Sequence, residues 1–183
     1  MKKHIPNFLT LLRVLLVPVF IWFSFFSAEQ YAIIFAAAIF IVASITDYYD
    51  GMLARKFDVI SDFGKIMDPL ADKILVISAL LTLTYKLQYI HFAVIIIIVL
   101  REVVISIMRS YYTKHNIYIA ADFWGKLKTV LQMTGIITAL VYASAVVLFP
   151  AFSVPLIIFH IYFWIVAAVT IFSGINYFVR DLK

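Results

Sequence analysis

The sequence contains no cysteine, and charged residues are scarce in it. Without a thiol, the chain cannot form a disulfide framework, a thiolate metal site or a cysteine nucleophile. Only 14% of the 183 residues are charged, and there is no internal repeat, low-complexity tract or flexible linker. By size the chain is a single domain, residues 1–183. Its four histidines share no ligand spacing, so we expect no histidine-based metal site.

Apolar side chains are present in excess. Hydrophobic residues make up 65% of the chain, and the mean hydropathy is +1.05. Because a soluble domain averages about 45–50% apolar residues, this composition indicates an integral membrane protein. The formal net charge of +5 is then best explained by membrane topology and contact with anionic lipid, and no nucleic-acid partner is expected.

The hydropathy pattern predicts an all-α fold with six transmembrane helices, each needing roughly 20 residues to cross the hydrocarbon core. Residues 1–13 predict an interfacial amphipathic helix. A cleaved signal peptide is the alternative, but no clear small-x-small site follows, and Arg13 would interrupt its apolar region. Pro69 disfavours helical geometry at the preceding residue, Asp68. The regular part of the third helix is therefore expected to begin only at Pro69. The predicted helical spans cover about residues 14–26, 31–55, 64–85, 89–113, 124–148 and 156–178.

The positions of the basic residues predict the orientation in the cell membrane. With six spans and both termini on one side, that side holds every lysine and arginine except Lys86. Basic residues are enriched on the cytoplasmic side of membrane proteins. We therefore expect a multi-pass protein with cytoplasmic termini. The same topology places the acidic ends of the second and third helices, and the basic parts of the fourth and fifth, in one cytoplasmic layer.

Most acidic residues fall in one stretch, since six of the ten lie between positions 47 and 72. Asp47 and Asp50 are three residues apart, and Asp68 and Asp72 are four apart, so each pair shares a helix face. Placing a carboxylate in or beside a membrane has a high free-energy cost, so such groups usually face a polar cavity. Four converging oxygen ligands suit one or two hard divalent cations, Mg²⁺ or Mn²⁺.

Small residues and an arginine accompany these aspartates. Gly51 and Ala54 lie on the metal-facing side of the helix that carries Asp47, and Gly64 lies on the acidic side of the next helix. Small residues beside metal ligands leave room for a substrate or a second backbone. Arg55 adds a planar fork that matches phosphate oxygens. The stretch therefore predicts a site for a phosphate ester or a pyrophosphate.

The pattern D-x2-D-G-x2-A-R-x8-G-x3-D-x3-D, residues 47–72, resembles the signature of the CDP-alcohol phosphotransferase family at every fixed position. The resemblance implies transfer of a phosphatidyl or phosphoalcohol group from a CDP-linked donor to an alcohol, with release of CMP. It implies that Asp47 and Asp68 would each touch two metal ions, while Asp50 would hold one ion and Asp72 the other. Asp72 would also be the general base that takes the proton from the attacking hydroxyl.

The resemblance further implies substrates and a set of donor-binding positions. Three segments, NFLTLLR, REVVISIMR and WGKLKTVLQM, are similar to those of bacterial phosphatidylglycerophosphate synthases. This implies CDP-diacylglycerol as the donor and sn-glycerol 3-phosphate as the acceptor, and the family usually forms homodimers. The positions expected to bind the CDP donor are Thr10, Arg13, Gly51, Ala54, Arg55, Ser61 and Gly64. The basic residues expected to bind the acceptor phosphate, because they share the predicted cytoplasmic layer, are Arg101, Arg109, Lys126 and Lys128.

Several alternatives stay open at this point. Another member of the same family, with inositol phosphate, serine or phosphatidylglycerol as acceptor, would have an identical metal site. A membrane prenyltransferase also uses aspartate-rich motifs, but we would expect a larger bundle and motifs far apart in sequence. A divalent-cation transporter would place its carboxylates near the bilayer midplane. Arg101 and Glu102 would equally suit a structural ion pair, and Lys126 and Lys128 would suit anchoring at the cytoplasmic surface.

Overall fold

The computed structural model describes residues 5–57, 62–115, 123–151 and 154–181, and side chains at 5–10, 48–51, 53–57, 62–66 and 179–181 lie outside the description. Within this part of the chain every regular element is helical, which confirms the all-α expectation. A π-helical turn follows α1 at Trp22–Phe26, and another follows α3 at Thr82–Lys86. The six α-helices are α1 (Ile5–Ile21), α2 (Ala32–Phe57), α3 (Asp62–Leu81), α4 (Phe92–Lys114), α5 (Phe123–Leu148) and α6 (Ile157–Asp181).

Helix α1 differs from the expected N-terminal arrangement. The sequence predicted a boundary near residue 13 between an interfacial helix and a first span, whereas α1 runs unbroken from Ile5 to Ile21. The run between Leu11 and Val17 contains only leucine, valine and arginine. Leucine and arginine are among the stronger helix formers, and no glycine or proline interrupts this run, so nothing local ends the helix there.

Helix α3 also differs from the expectation, because it begins at Asp62 and continues through Pro69. A proline in a helix removes one amide donor and disturbs the preceding turn. Pro69 is exposed, whereas Ala71, Leu75 and Ala79 on the following turns are buried. The packing of these side chains stabilises the helix and outweighs the local preference of the proline.

Contacts divide the described chain into two compact units. The first unit comprises the described residues within Met1–Thr82 and Ile137–Ser153, and the second those within Leu83–Ile136 and Val154–Lys183. The division falls inside α5, so each unit receives one half of that helix. The predicted carboxylate site belongs to the first unit, and the predicted acceptor-phosphate residues belong to the second.

In the first unit, α1 packs against both α2 and α3. The buried face of α2 carries small residues, among them Ala36 and Ala43, which allow a neighbouring helix to approach closely. Larger rings fill the remaining space, with the ring centroids of Phe20 and Phe40 5.8 Å apart. This packing holds the middle of α1 against the acidic segments of α2 and α3.

In the second unit, α4 packs along α6. His91 caps the start of α4, where its Nδ1 accepts a hydrogen bond of 3.3 Å from the Ala93 amide. The N-terminal half of α5 is tied to α6 by Tyr162, whose hydroxyl donates to the Leu131 carbonyl at 2.9 Å. The Tyr162 ring lies over Gly135, which leaves no room for a β-carbon at that position.

The exposed face of α6 is apolar and carries Ile161, Ile165 and Phe172. Its buried face combines apolar side chains such as Phe163 with the small polar residues Thr170 and Ser173. Large apolar side chains on the outside are typical of a helix that faces lipid, and small polar side chains inside suit contacts between helices. This arrangement supports the expectation of a membrane protein.

Two of the described helices are long and apolar enough to cross a membrane, Phe123–Leu148 and Ile157–Phe178. Two further apolar helical segments are shorter, Leu11–Phe26 and Ala32–Asp47. Length and hydropathy thus support membrane insertion, while the number of six spans stays a prediction.

Candidate active site

Three residues predicted to belong to the site meet in the first unit, although they come from three different helices. Arg13 lies on α1, Asp47 on α2 and Asp68 on α3. The Arg13 Nη1 atom is 2.9 Å from Asp47 Oδ1 and 3.4 Å from Asp68 Oδ1. The contact of Arg13 with Asp68 joins positions 55 residues apart in sequence. The packing of α1 against α2 and α3 therefore builds this cluster.

Burial differs sharply among the members of this trio. The Arg13 side chain is 1% exposed, whereas the side chains of Asp47 and Asp68 are 49% and 38% exposed. A buried cation is tolerated when opposite charges surround it, and the two carboxylates supply those charges. Their remaining surface is open, so each can still bind a further group. Arg13 thus fixes the carboxylates from the buried side.

The donor set fits a divalent cation. Asp47 and Asp68 already direct one oxygen each at a single cationic nitrogen. Carboxylate oxygens are the ligands that Mg²⁺ and Mn²⁺ prefer. The three side chains of the trio carry one net negative charge, so they favour a further cation.

The structure gives less information on the two other predicted metal ligands, Asp72 and Asp50. Asp72 follows Asp68 by one helical turn on α3 and is partly exposed, so the two carboxylates share a helix face. Asp50 lies on α2, and its side chain is outside the description. Among the described side chains, no three acidic or histidine residues are grouped closely enough to hold a metal ion. The four-aspartate metal site therefore stays a prediction.

Apart from Arg13, the predicted donor-binding positions fall outside the described side chains. Ser61 is itself outside the described residues. The backbone of the others is helical, with Thr10 on α1, Gly51, Ala54 and Arg55 on α2, and Gly64 on α3.

Two of the predicted acceptor residues are brought together in the second unit by an acidic side chain. Lys128 Nζ on α5 forms an ion pair with Glu102 Oε1 on α4. Arg101 Nη1 lies 3.8 Å from the same Glu102 oxygen, and Arg101 Nη2 donates a hydrogen bond of 2.7 Å to Ser173 Oγ on α6. All three helices of this unit thus contribute to one polar cluster.

The two remaining acceptor candidates differ in environment. Arg109 and Lys126 have exposed side chains. Neither takes part in the described contacts of the Glu102 cluster. The structure therefore groups Arg101 with Lys128 and does not bring Arg109 or Lys126 into that group.

Sequence reasoning treated Glu102 only as a possible partner of Arg101 and missed its pairing with Lys128. It also missed the hydrogen bond from Arg101 to Ser173. The sequence did contain an indication of these contacts. A glutamate beside an arginine in an apolar helix raises the free energy of the folded state unless both side chains are paired. Gln132 and Tyr177 are further buried polar residues of this unit, and Gln132 Oε1 and Tyr177 Oη have no hydrogen-bond partner among the described residues.

Comparison with known proteins defines the class to which this chain belongs. The sequence profile of the family described as CDP-alcohol phosphatidyltransferase matches residues 3–175. Since the match extends over most of the 183 residues, the chain belongs to the CDP-alcohol phosphatidyltransferase family. This confirms the resemblance seen in residues 47–72, and members of the family generally use divalent metal ions.

Relatives within this family are named CDP-diacylglycerol–glycerol-3-phosphate 3-phosphatidyltransferase. The Rickettsia felis protein is 32% identical over 178 residues, which cover 96% of this chain and 94% of the relative. The Haemophilus influenzae protein is 39% identical over 137 residues, 73% of each chain. The Mycoplasma genitalium protein is 36% identical over 152 residues, which cover 74% of this chain but only 64% of that longer relative. The chain is therefore an enzyme of the phosphatidyltransferase type and a membrane protein.

Proposed function

We propose that this chain transfers a phosphatidyl group from CDP-diacylglycerol to sn-glycerol 3-phosphate, giving phosphatidylglycerophosphate and CMP. The structural observation that carries the proposal is the convergence of Arg13, Asp47 and Asp68, three residues predicted for this chemistry, in one cluster. The names of the three relatives support the choice of donor and acceptor.

Four aspartates would hold two divalent ions, Mg²⁺ or Mn²⁺. Asp47 and Asp68 would contact both ions, Asp50 one ion and Asp72 the other. When bound, such ions would neutralise the pyrophosphate and the charge that develops on the departing CMP. The open carboxylate surfaces of Asp47 and Asp68 support this assignment, and Arg13 keeps these two side chains in position from behind.

Asp72 is the proposed general base. Its carboxylate would take the proton from the acceptor hydroxyl, whose oxygen forms a bond to the phosphorus that carries diacylglycerol. The bond between that phosphorus and the bridging oxygen of CMP then breaks, and the electron pair leaves with CMP. A base in hydrogen-bond reach contributes about 10²–10⁴-fold to such a step. The donor would be held by the predicted positions Thr10, Gly51, Ala54, Arg55, Ser61 and Gly64. Arg13, also predicted to bind the donor, has a buried side chain and would act by holding Asp47 and Asp68 in place.

The acceptor phosphate would bind the basic residues of the second unit, Arg101, Arg109, Lys126 and Lys128. Support comes from Arg101 and Lys128, which both approach one oxygen of Glu102. An anionic oxygen at that place meets two cations from two helices, and the arginine fork suits a phosphate.

We further propose six membrane spans with cytoplasmic termini and active site, contact with membrane lipid, and a homodimer. The exposed isoleucine and phenylalanine side chains of α6 support contact with lipid. Sedimentation or native mass spectrometry would test the dimer. A monomer in both mild detergent and nanodiscs would contradict it.

The decisive experiment measures CMP release by purified protein with CDP-diacylglycerol and Mg²⁺. The acceptors to compare are sn-glycerol 3-phosphate, inositol phosphate, serine and phosphatidylglycerol. We expect release only with glycerol phosphate, and its loss on addition of a chelator. Asp72→Asn should lower the rate about 100-fold or more, whereas Glu29→Gln, a similar change at an exposed acid in the first unit, should leave it unchanged.

The other possible results of this CMP-release experiment would each indicate a different function. Release with a different acceptor would keep the metal mechanism and overturn the acceptor assignment. If no acceptor supports release, soluble CDP-alcohols would be tried next. Metal flux into liposomes without CDP-lipid would then favour the divalent-cation transporter.

A further inference from the structure

In the second unit, Glu102 lies on the solvent-accessible side of the more deeply buried Lys128. Its Oε1 atom pairs with Lys128 Nζ and is 3.8 Å from Arg101 Nη1. The exposed fraction of the side chain is 26% for Glu102, 15% for Arg101 and 3% for Lys128. A ligand that approaches this cluster therefore meets Glu102 first. As long as the ion pair holds, the nearly inaccessible Lys128 ammonium cannot contact a bound phosphate.

The charges of this trio favour one kind of replacement for the Glu102 carboxylate. Arg101, Lys128 and Glu102 together carry one net positive charge. A monoanion that takes the place of Glu102 only restores the charge that the carboxylate already supplied. A phosphate dianion in the same place neutralises both cations. A monoester phosphate has a second pKa of about 6 and is mostly dianionic above pH 7.

The surroundings of both cations allow Glu102 to move away. Arg101 is held by α6 independently of Glu102, through its hydrogen bond to the buried Ser173 Oγ. Gln132 follows Lys128 by one turn on α5, and its buried Oε1 has no hydrogen-bond partner among the described residues. An ammonium group has three donors, and residues four apart share a helix face. Gln132 can therefore accept from Lys128 when the carboxylate leaves.

We propose that Glu102 is a specificity-determining residue of the acceptor site. Its carboxylate occupies the place of the acceptor phosphate while no acceptor is bound, and a phosphate dianion displaces it whereas monoanions do not. This inference rests on the proposed function, because it assigns the site of Arg101 and Lys128 to the phosphate monoester of the acceptor.

Wild-type protein tests the inference without any substitution. Thermal unfolding in detergent at pH 8 is followed with glycerol 3-phosphate and, separately, with its methyl phosphodiester, a monoanion that carries the same glycerol. We expect the monoester to raise Tm and the diester to leave it unchanged. Equal stabilisation by the two compounds would overturn the inference.

Glu102→Gln removes the competing charge while keeping the size of the side chain. We expect the KM for glycerol 3-phosphate to fall about fivefold or more with little change in kcat. The diester should now raise Tm and inhibit CMP release, which also excludes a simple steric effect of its methyl group. Without ligand, this variant should unfold at a lower temperature, because Lys128 has lost its counter-charge.

Two further variants complete the test. Glu102→Asp keeps the charge and should keep the preference for the monoester. Glu29→Gln makes the same chemical change at the other glutamate of the chain, which is exposed, and should change neither KM nor ligand preference. An unchanged or higher KM in Glu102→Gln, with the diester still excluded, would show that Glu102 is only a structural counter-ion. If Glu102→Gln does not fold, the wild-type comparison and Glu102→Asp decide the question.

The proposed function can fail separately from this inference. Wild-type CMP release with CDP-diacylglycerol and glycerol 3-phosphate is measured in the same preparation. Absence of release overturns the proposed function, while the Tm comparison still decides whether Glu102 discriminates between the two anions. Release by the wild type, with Glu102→Gln indistinguishable from it, overturns the inference alone.

Discussion

Two charged trios with opposite net charge distinguish this chain at the scale of single residues. In the first unit a buried arginine lies between Asp47 and Asp68, and the trio carries one net negative charge. In the second unit Glu102 contacts Arg101 and Lys128, and that trio carries one net positive charge. In each, the minority charge limits the repulsion between its neighbours. The first trio therefore favours a cation, and the second favours an anion.

Replacing the buried arginine of the first trio tests its role. Arg13→Met keeps much of the side-chain volume but leaves two carboxylates without the cation between them. We expect the free energy of unfolding to fall by about 1.5–3 kcal/mol, the range for hydrogen bonds to charged groups, and CMP release to fall as the carboxylates separate. Unfolding titrations in detergent micelles would measure the first effect.

The matched control for this substitution is Lys86→Met, which removes an exposed cation. Surface substitutions of this kind usually change stability by less than about 0.5 kcal/mol. If Arg13→Met were as stable as this control, the ion pairs of Arg13 would not be structural.

At the scale of helices, two glycines of the second unit have different surroundings. A β-carbon at Gly135 on α5 would lie 2.5 Å from Tyr162 Cε1 and 3.2 Å from Phe163 Cζ. A β-carbon at Gly174 on α6 would lie 3.5 Å from Arg101 Cγ, an ordinary van der Waals distance. Of these two glycines, Gly135 is therefore the one that close packing between helices requires.

The same substitution at these two positions should have opposite effects. Gly135→Ala pushes the Tyr162 ring away and weakens its hydrogen bond to Leu131, so we expect a loss of about 1–3 kcal/mol, as for other overpacked sites. Gly174→Ala should be neutral or stabilising by up to about 1 kcal/mol, because alanine is the better helix former. Unfolding titrations of both variants check this, and equal stability would contradict the packing of Tyr162 on Gly135.

At the scale of the whole molecule, the absence of native cysteine makes the proposed topology directly testable. Any introduced cysteine is the only thiol in the protein. Lys86 lies in the π-helical turn after α3, and Lys114 lies at the end of α4, so α4, one of the six proposed spans, separates them. Both side chains are exposed.

We expect a membrane-impermeant maleimide to label Lys86→Cys in intact cells. Lys114→Cys should be labelled only after permeabilisation, because the proposed topology places it in the cytoplasm. Gel-shift detection of the label measures both. Labelling of the two variants from the same side would contradict a span between them and with it the six-span topology.

The acidic chemistry and the helical class could be predicted because both depend on residues close in sequence. A motif within residues 47–72 specified the family, and runs of apolar residues indicated the helices. Two helix boundaries were predicted less well. The helix α1 passes residue 13 without a break because the run around it contains no helix-breaking residue. The helix α3 passes Pro69 because the packing of the following turns outweighs the local preference of the proline.

The sequence by itself determined the class of enzyme, the membrane-protein character and the candidate carboxylates, because composition and fixed spacing are properties of the chain alone. Only the tertiary structure decided which charges meet. Arg13 reaches Asp68 across 55 residues and Arg101 reaches Ser173 across 72. Helical periodicity specifies which face of a helix is apolar but not which face of another helix it meets. The pairing of Glu102 with Lys128 depends on that choice, so no pattern within either helix could have predicted it.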